Sequence, residues 1–415
     1  MTQFSREETQ KVTIQGEANG AAASPALACP HFPPCPGCPL IPVAYAEQLE
    51  RKRAGLAAAL AGTVAEDRIR PVVPSPELHG YRNLSRLVFA RGPTGRVELG
   101  LYAAGTHRVV PIPRCPIQPE GMNAIARSTG RLARELRLLV FNERDRRGHL
   151  RYLAIRADHA RRRYLVGIVA ASGEASGGAG SEDPRLRTLA AELRHAHPEI
   201  VGVTLRVNDS PGNIIFAGEE AWTLGEARLP DTVGRAEVLV SLTSFLQANH
   251  GVAGWICRRL EAWAGERAVA GTVLDLYCGI GAIAFHLAGP DRRVTGVEES
   301  AGAVADAVAA AERARLPVRF VAASAERFLA EAAPPVEAAV VNPPRPGCSP
   351  AVVDALLALA PRALAYVSCN PAALARDLAR LGAAYEVEEV IPVDMLPLTP
   401  HIEALALLAR RGAGA

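Results

Sequence analysis

The sequence predicts an α/β protein in which a β-rich central domain with a cysteine-rich loop precedes a C-terminal Rossmann-like domain, built on a doubly wound, mostly parallel sheet. Three observations lead to this prediction. Long apolar segments alternate with amphipathic helical patterns over residues 236–415, which is typical of a parallel sheet covered by helices. Shorter β-rich segments occupy residues 78–216, and three cysteines lie close together near the N-terminus.

The chain is expected to divide into four parts. Residues 1–28 are polar at first and then rich in Gly, Ala and Ser, which predicts a disordered tail. Residues 29–77 hold the cysteine loop and an amphipathic helix over 46–61. Residues 78–235 are expected to form the central domain, and residues 236–415 the Rossmann-like domain.

Composition places the chain among ordinary globular proteins. Its 415 residues are 49% hydrophobic and 21% charged, with a formal net charge of +3. Residues 1–20 lack the apolar core of a secretion signal, and no later stretch of about 18 residues is free of charges and prolines. We therefore expect a cytoplasmic protein that does not enter membranes. Its cysteines should serve as metal ligands, nucleophile or core rather than as disulfides.

Cysteine spacing predicts an inorganic centre in the first half of the chain. Prolines separate Cys29, Cys35 and Cys38 and stiffen the loop, so that several thiolates can converge. A fourth ligand is needed, and Cys115 is the only other cysteine in this half. Tetrahedral zinc and an iron–sulfur cluster both take four thiolates, so the residues alone leave the two open.

The central domain is predicted to be rich in strands, near residues 87–89, 98–102, 152–155, 164–169, 201–207 and 213–216. A Gly/Ser-rich loop is expected over 172–181. Between residues 82 and 163 there are 18 arginines against 6 acidic residues, densest at 144–151 and at Arg161–Arg163. Such a surface suits a polyanion, and guanidinium groups and tyrosines can stack on unpaired bases. We expect it to bind RNA, the alternative being a solvated basic face.

A glycine turn and an acidic strand end predict the ligand of the C-terminal domain. A strand leads into Gly279 and Gly281, and the next strand ends in Glu298 about twenty residues after the turn. A carboxylate there can accept hydrogen bonds from both hydroxyls of a ribose. The turn lacks the third glycine of a dinucleotide site and the lysine of a nucleotide-phosphate loop. This pattern favours S-adenosylmethionine, which has a ribose and an adenine but no phosphate.

Later strand ends carry further polar side chains at the same predicted edge of the sheet. One strand ends at Asn342, which two prolines and Arg345 follow; another delivers Cys369 to a sharp turn; and Glu403 begins a late strand. Ligands of open α/β sheets bind at this edge, and the helix after Cys369 should favour its thiolate. A buried structural thiol and a surface carboxylate are the ordinary alternatives for Cys369 and Glu403.

The chain resembles the RNA uracil-C5-methyltransferases in five motifs that keep the same order and spacing: Phe245-Leu-Gln247, Asp275-Leu-Tyr-Cys-Gly279, Asn342-Pro-Pro-Arg345, Ser368-Cys-Asn370 and His401-Ile-Glu403. The resemblance covers about residues 29–410. It includes the cysteine loop, which looks like the [4Fe–4S] site of the bacterial 23S rRNA members and which the tRNA-specific bacterial branch lacks. The resemblance therefore favours an iron–sulfur cluster on Cys29, Cys35, Cys38 and Cys115.

By position in the matching motifs, the resemblance implies Cys369 as nucleophile, Glu403 as general base, and contacts to S-adenosylmethionine through Gln247, Tyr277, Glu298 and Asn342. It implies methyl transfer to C5 of a specific uridine, closest to the enzymes of 23S rRNA, by a monomer. Two departures leave the target uridine open. Ala282 and Asn342 stand where many members have a polar residue and an aspartate, and the segment before Cys29 is too short for the extra RNA-binding barrel of another 23S branch.

Other functions remain open at the level of the sequence. A tRNA uridine is an alternative target. An amino-methyltransferase would hold an exocyclic amine with an Asn-Pro-Pro turn and a following aromatic residue, whereas in this chain Arg345 follows. A catalytically inactive RNA-binding or ribosome-assembly factor would need neither Cys369 nor Glu403, and both are present.

Overall fold

The computed structural model describes residues 27–93, 95–172, 183–212, 214–331 and 335–412. Nearly all of the predicted tail over 1–28 and of the predicted loop over 172–181 lies outside these residues. Two sheets of seven strands each form the framework of the described chain. Within the described ranges, no helix has both the length and the apolar character needed to cross a membrane.

The N-terminal segment consists of the cysteine loop and helix α1 (Tyr45–Leu60), which confirms the helix predicted over 46–61. The helix buries one row of side chains at intervals of four residues, namely Gln48, Lys52, Leu56 and Leu60. Spacing of four residues keeps side chains on one helical face. Two members of this buried row are polar, which an ordinary amphipathic helix avoids.

The central domain is built on a sheet whose strands are β1 (Leu84–Arg91), β2 (Val97–Tyr102), β3 (Val109–Pro111), β4 (Leu150–Ala157), β5 (Tyr164–Ala170), β6 (Ile200–Val207) and β7 (Glu219–Gly225). The strand order is β3-β2-β1-β4-β5-β6-β7, and only β5 and β6 pair in parallel. Helices α2 (Glu120–Glu135) and α3 (Pro184–Ala196) cover one face and bury the core of the domain there.

The central domain also contains elements that were not predicted, namely β3, β7, α2 and α3. Residues 214–217 lie in a turn rather than a strand, and the edge strand β7 follows them. The helix α2 was not predicted, although Met122, Ile125 and Leu132 bury one of its faces. Glycine, serine and threonine lower the helix propensity of this segment, and burial against the sheet overrides that local preference.

The C-terminal domain follows the hairpin of β8 (Arg228–Val233) and β9 (Ala236–Ser241), which spans the predicted boundary at residue 236. Its main strands are β10 (Gly271–Leu276), β11 (Arg292–Glu298), β12 (Arg319–Ala322), β13 (Ala338–Val341), β14 (Ala363–Ser368), β15 (Tyr385–Val393) and β16 (Glu403–Arg410). The helices are α4 (His250–Glu266), α5 (Ala282–Leu287), α6 (Ala301–Ala314), α7 (Ala325–Ala330), α8 (Pro350–Leu359) and α9 (Pro371–Leu381). Separate apolar clusters cover the two faces of the sheet.

The strand order β12-β11-β10-β13-β14-β16-β15 confirms the predicted doubly wound, mostly parallel sheet. Only β16 runs antiparallel, between β14 and β15. The chain order reverses direction between β10 and β13, which places a crevice at their carboxyl ends. The antiparallel direction of β16 matters for the site, because it brings the first residue of β16 to the carboxyl edge of β14.

The N-terminal segment packs against the C-terminal domain as well as the central one. Helix α1 lies on α9, where Leu56 and Leu60 join Leu374 and Leu378 in one apolar cluster. Residues 69–73 then run beside β15, with the Arg70 N–H donating to the Val390 carbonyl at 2.9 Å. The first and last parts of the described chain are therefore packed together.

Candidate active site

Cys369 lies in the turn between β14 and α9. Asn370 caps the helix, because its Oδ1 accepts the N–H groups of Ala372 and Ala373 at 3.1 and 3.4 Å. The other end of the same amide, Nδ2, donates to the Arg345 carbonyl at 2.9 Å. The cap therefore fastens the thiol-bearing turn to the segment that follows β13.

The Cys369 thiol is half-buried and lies between two groups of opposite charge. Burial and then the Glu403 carboxylate raise the pKa of this thiol, while Arg345, which is also hydrogen-bonded to it, lowers that pKa. The net shift is upward, so the effect of burial exceeds the help that the helix N-terminus was expected to give the thiolate. Arg345 belongs to one of the family motifs but was not among the predicted site residues. Its place after a double proline at the same sheet edge was the available signal.

Glu403 is the first residue of β16, and the residue as a whole is 4% exposed. Burial raises the pKa of its carboxyl to about 7, and a hydrogen bond with the Gln247 side chain lowers it. A carboxyl in this state changes protonation near neutral pH, where a general base works best. The structure thus brings Cys369, Arg345, Glu403 and Gln247 together, although they come from four separate segments of the chain.

An open cleft of about 540 Å³ lies at the crevice between β10 and β13. Gln247, Tyr277 and Asn342 contribute its polar lining, and Gly279 lies at one end. The walls are otherwise apolar, from side chains such as Ile256, Ile280, Ile283 and Val367. Neutral polar groups in an apolar cleft suit a small nucleoside ligand, so the residues fit S-adenosylmethionine.

Glu298 does not line this cleft in the described structure. Its carboxylate instead accepts the Gly279 N–H at 3.1 Å and the Ser300 N–H at 2.9 Å. The residue therefore fixes the glycine turn from the end of β11. Tyr277, just before that turn, has a φ of 62°, a conformation that non-glycine residues seldom adopt. The neighbouring glycines Gly279 and Gly281 also have positive φ, which is why the turn needs them.

The four candidate ligand cysteines gather beside the loop between β15 and β16. Cys29, Cys38 and Cys115 pack in one cluster that includes Leu398, and Cys35 packs with Cys115 in the next. Burial, followed by the charges of the other three thiols, raises the pKa of Cys38 to about 12. Among the described residues, no group of three or more His, Cys, Asp or Glu side chains is arranged to hold a single metal ion.

The surroundings of these cysteines fit a group that needs four thiolates. Hydrogen bonds from the backbone of Gly37 to Cys35 and of Ile117 to Cys115 lower the pKa of each thiol, against the larger effect of burial. Asn123 clamps the backbone of Cys115, accepting its N–H at 2.8 Å and donating to its carbonyl at 3.1 Å. Thiols held together with N–H donors aimed at sulfur are what a cluster requires.

The arginines of the central domain's basic runs differ in whether they already form ion pairs or hydrogen bonds within the protein. Arg161 pairs with Glu77, and Arg163 pairs with Asp158 at 3.1 Å. Arg151 is buried and donates to the Ser210 carbonyl at 3.0 Å. The exposed side chains of the turn at 144–147 have no ion-pair partner within the described chain. The arginines of that turn are therefore better placed to meet RNA than Arg161 and Arg163 are.

The fold and the site together define a class I methyltransferase: the sheet is doubly wound, and the carboxylate at the end of β11 fixes the glycine turn beside the cleft. A family profile described as a methyltransferase domain matches residues 273–365. A second profile, described as tRNA (uracil-5-)-methyltransferase, matches residues 334–411. This second stretch contains both Cys369 and Glu403.

Whole-chain comparisons extend the match. Proteins of Geobacter sulfurreducens and Gloeobacter violaceus, each described as an uncharacterized RNA methyltransferase, are 33% and 32% identical to this chain. Each alignment covers 92% of this chain, and 77% and 82% of the respective relative. The crystal structure of the Pyrococcus abyssi tRNA (uracil-54, C5)-methyltransferase with S-adenosyl-L-homocysteine is similar with a TM-score of 0.74. It is 25% identical, over 91% of this chain and 86% of that one.

The chain therefore belongs to the RNA (uracil-5-)-methyltransferase family, and it is an S-adenosylmethionine-dependent RNA methyltransferase. This confirms the family, the enzyme class, S-adenosylmethionine as the methyl donor and an RNA substrate, as the five motifs implied.

Gln247→Met should raise the pH at which methyl transfer begins. The substitution removes the hydrogen bond that lowers the pKa of Glu403, so a larger fraction of this carboxyl stays protonated at a given pH. Since only the deprotonated form can accept a proton, the lower limb of the pH–rate profile should move from about 7 to higher pH. The dissociation constant of S-adenosylmethionine is measured in parallel, because Gln247 also lines the cleft. An unshifted limb would contradict the interaction with Glu403.

Proposed function

We propose that this enzyme methylates C5 of one specific uridine in 23S rRNA, through a covalent bond between the Cys369 sulfur and C6 of the base. Glu403 is the general base. The observation that carries the proposal is that a buried carboxylate and an arginine act on the pKa of the same half-buried thiol, beside a cleft suited to S-adenosylmethionine. In this proposal the enzyme works as a cytoplasmic monomer.

The chemistry explains the residue types. Uracil C5 is too weak a nucleophile to accept a methyl group directly, so a thiolate must first add to C6 and move the electron pair of the C5–C6 double bond toward C5. Cysteine suits this step because its thiolate is both a good nucleophile and a good leaving group. Arg345 stabilises the thiolate by hydrogen bond and charge. S-adenosylmethionine supplies the methyl group, which C5 takes up.

The remaining steps restore the base. Glu403, deprotonated above a pH of about 7, takes the proton from the methylated C5. The electron pair of that C–H bond re-forms the C5–C6 double bond, and the C6–S bond breaks to return the Cys369 thiolate. The target uridine must leave its stack to reach the thiol, which single-stranded RNA loops allow at low cost. Phe245, 65% exposed at the rim of the cleft, offers an aromatic face nearby.

We assign the parts of the chain accordingly. Residues 236–415 hold the methyl donor and the catalytic groups, with Gln247, Tyr277 and Asn342 on the cleft and Glu298 acting through the glycine turn. Residues 78–235 bind the RNA backbone, chiefly through the exposed arginines at 144–147. Residues 29–77, with Cys115, carry a [4Fe–4S] cluster that supports the fold, since methyl transfer moves no electron.

A tRNA uridine is the second candidate target. It is favoured by the similarity to the Pyrococcus abyssi enzyme, whose substrate is a tRNA. The 23S rRNA is preferred because four cysteines gather in this chain, and the cysteine loop is the feature in which the chain resembles the 23S branch. Mapping 5-methyluridine in 23S rRNA and tRNA, from cells with and without the gene, decides between the two. Loss of one 5-methyluridine from tRNA alone would overturn the preference.

Glu403→Gln should trap a covalent complex. The substitution leaves Cys369 free to add and C5 free to accept the methyl group, but it removes the base that takes the C5 proton. A denaturing gel with in vitro transcripts of 23S rRNA should show a shifted protein–RNA band in the presence of S-adenosylmethionine. The double variant Cys369→Ala/Glu403→Gln is the matched control and should give no band. Turnover lost without any shifted band would mean that Glu403 has another role.

The cysteine site should contain iron and sulfide after anaerobic purification. Cys115→Ser should lower the iron content, because it removes one of four ligands, while Cys257→Ser, at a buried cysteine in α4, should leave iron unchanged. Iron, sulfide and zinc are measured by metal analysis and by the visible absorption spectrum. Stoichiometric zinc in the anaerobic protein would contradict the iron–sulfur assignment.

A further inference from the structure

The loop that leads to the proposed base is fixed from outside its own domain. Residues 394–402 connect β15 to β16 and end directly before Glu403, and we call them the base loop. The Leu398 N–H in this loop donates to Gln48 Oε1 at 3.0 Å, and its carbonyl accepts the Leu40 N–H at 3.0 Å. Both partners belong to the N-terminal segment, about 350 residues away in the chain.

Leu398 holds a conformation that needs such support. Its φ is 67°, in the left-handed region that non-glycine residues rarely adopt, and its side chain is fully buried. A backbone of this kind persists only where surrounding contacts over-determine it. Gln48 is part of that surrounding structure. Its Nε2 donates to the carbonyls of Leu40 and Val43 at 3.0 and 2.9 Å, which aims Oε1 at Leu398.

A buried ion pair fixes the start of the base loop. Lys52 Nζ donates to Asp394 Oδ1 at 2.5 Å and to the Leu396 carbonyl at 3.1 Å. Tyr45 donates to Asp394 Oδ2 at 2.8 Å. Asp394 directly follows Val393, which pairs with Glu403 across the two strands. Three residues of one face of α1 therefore hold the first half of the loop that leads to Glu403, from Asp394 to Leu398.

The polar side chains on this face of α1 are better explained by a role in positioning the base loop than by a contribution to stability alone. Gln48 and Lys52 are as deeply buried as Leu56 and Leu60, which continue the same row. Replacing a buried ion pair by apolar side chains of similar size is often neutral or stabilising. Polar side chains specify one arrangement of their partners, whereas apolar ones allow several. The apolar half of the row packs on α9, the helix that begins after Cys369.

We propose that Gln48 and Lys52 are positioning residues for Glu403, and that α1 sets the relative placement of the nucleophile turn and the base loop. The inference rests on the proposed function, because it takes Glu403 as the base. In this inference, the N-terminal segment affects catalysis by positioning Glu403, and this effect does not depend on contact between the segment and RNA. The step that depends on it is removal of the C5 proton.

The test uses the full-length protein and the variant Gln48→Met, which keeps the side-chain length and removes the three hydrogen bonds. Turnover of a 23S rRNA transcript should fall about 100-fold, the usual effect of displacing a catalytic group by about 1 Å. The covalent protein–RNA complex should accumulate, as in Glu403→Gln, while binding of S-adenosylmethionine is unchanged. Hydrogen exchange should speed up at residues 394–402 and stay the same at 404–408.

The control and a second variant keep the outcome clear. Arg51→Ala alters an exposed residue of the same helix, paired only with Glu47 on the surface, and should behave as the wild type. If Gln48→Met does not fold, Lys52→Met/Asp394→Asn removes the ion pair without leaving a buried charge and is measured in the same way. Slow turnover without the covalent complex, or unchanged exchange in the base loop, would overturn the inference. Normal turnover of Glu403→Gln would instead contradict the proposed base itself.

Discussion

The burial of the Glu403 carboxylate next to the Cys369 thiol is the interaction on which the rest of the site depends. Taking a carboxylate out of water opposes its ionisation, and in this site burial raises the pKa of Glu403 to about 7. The fold makes this placement possible because β16 runs antiparallel beside β14, so that its first residue meets the end of β14. The same carboxylate raises the pKa of Cys369, and Arg345 opposes that effect. The Glu403 carboxylate, the Cys369 thiol and the Arg345 guanidinium group thus form one electrostatic unit, because both charged groups act on the pKa of the thiol.

The sequence predicted the parts of this unit that follow from local pattern. Strands β13 and β14 end directly before Asn342 and Cys369, and β16 begins at Glu403, as predicted. The residue types at these positions indicated a site before any contact was known. Contacts between distant segments of the chain could not be predicted from local sequence patterns. Nothing near Gln247 in the chain indicates that it bonds to Glu403, and nothing near Glu298 indicates that its carboxylate holds the glycine turn. In the central domain, composition indicated strands and hid α2, whose helical form depends on burial against the sheet.

The N-terminal segment brings the candidate ligand cysteines, the helix after Cys369 and the loop before Glu403 into one packed region. The cysteine loop shares an apolar cluster with Leu398, α1 packs on α9, and Lys52 is buried against Asp394. Lys52 is one of only two lysines in the chain, in which arginine otherwise carries the positive charge. A compact ammonium can fit a buried site with a single carboxylate where the wider guanidinium group would need more partners. In the proposed function, a cluster on the four cysteines would support the loop before Glu403 without taking part in methyl transfer.

The central claim is that the methyl group replaces the hydrogen on C5 of a uridine. The most direct test is tritium release from a 23S rRNA transcript made with uridine labelled at C5. The covalent mechanism predicts that each methyl group transferred releases one C5 hydrogen to water, so the two rates are equal and both vanish in Cys369→Ala. Methyl transfer from S-adenosylmethionine without release of tritium would place the methyl group elsewhere, as an amino-methyltransferase would, and would contradict this mechanism.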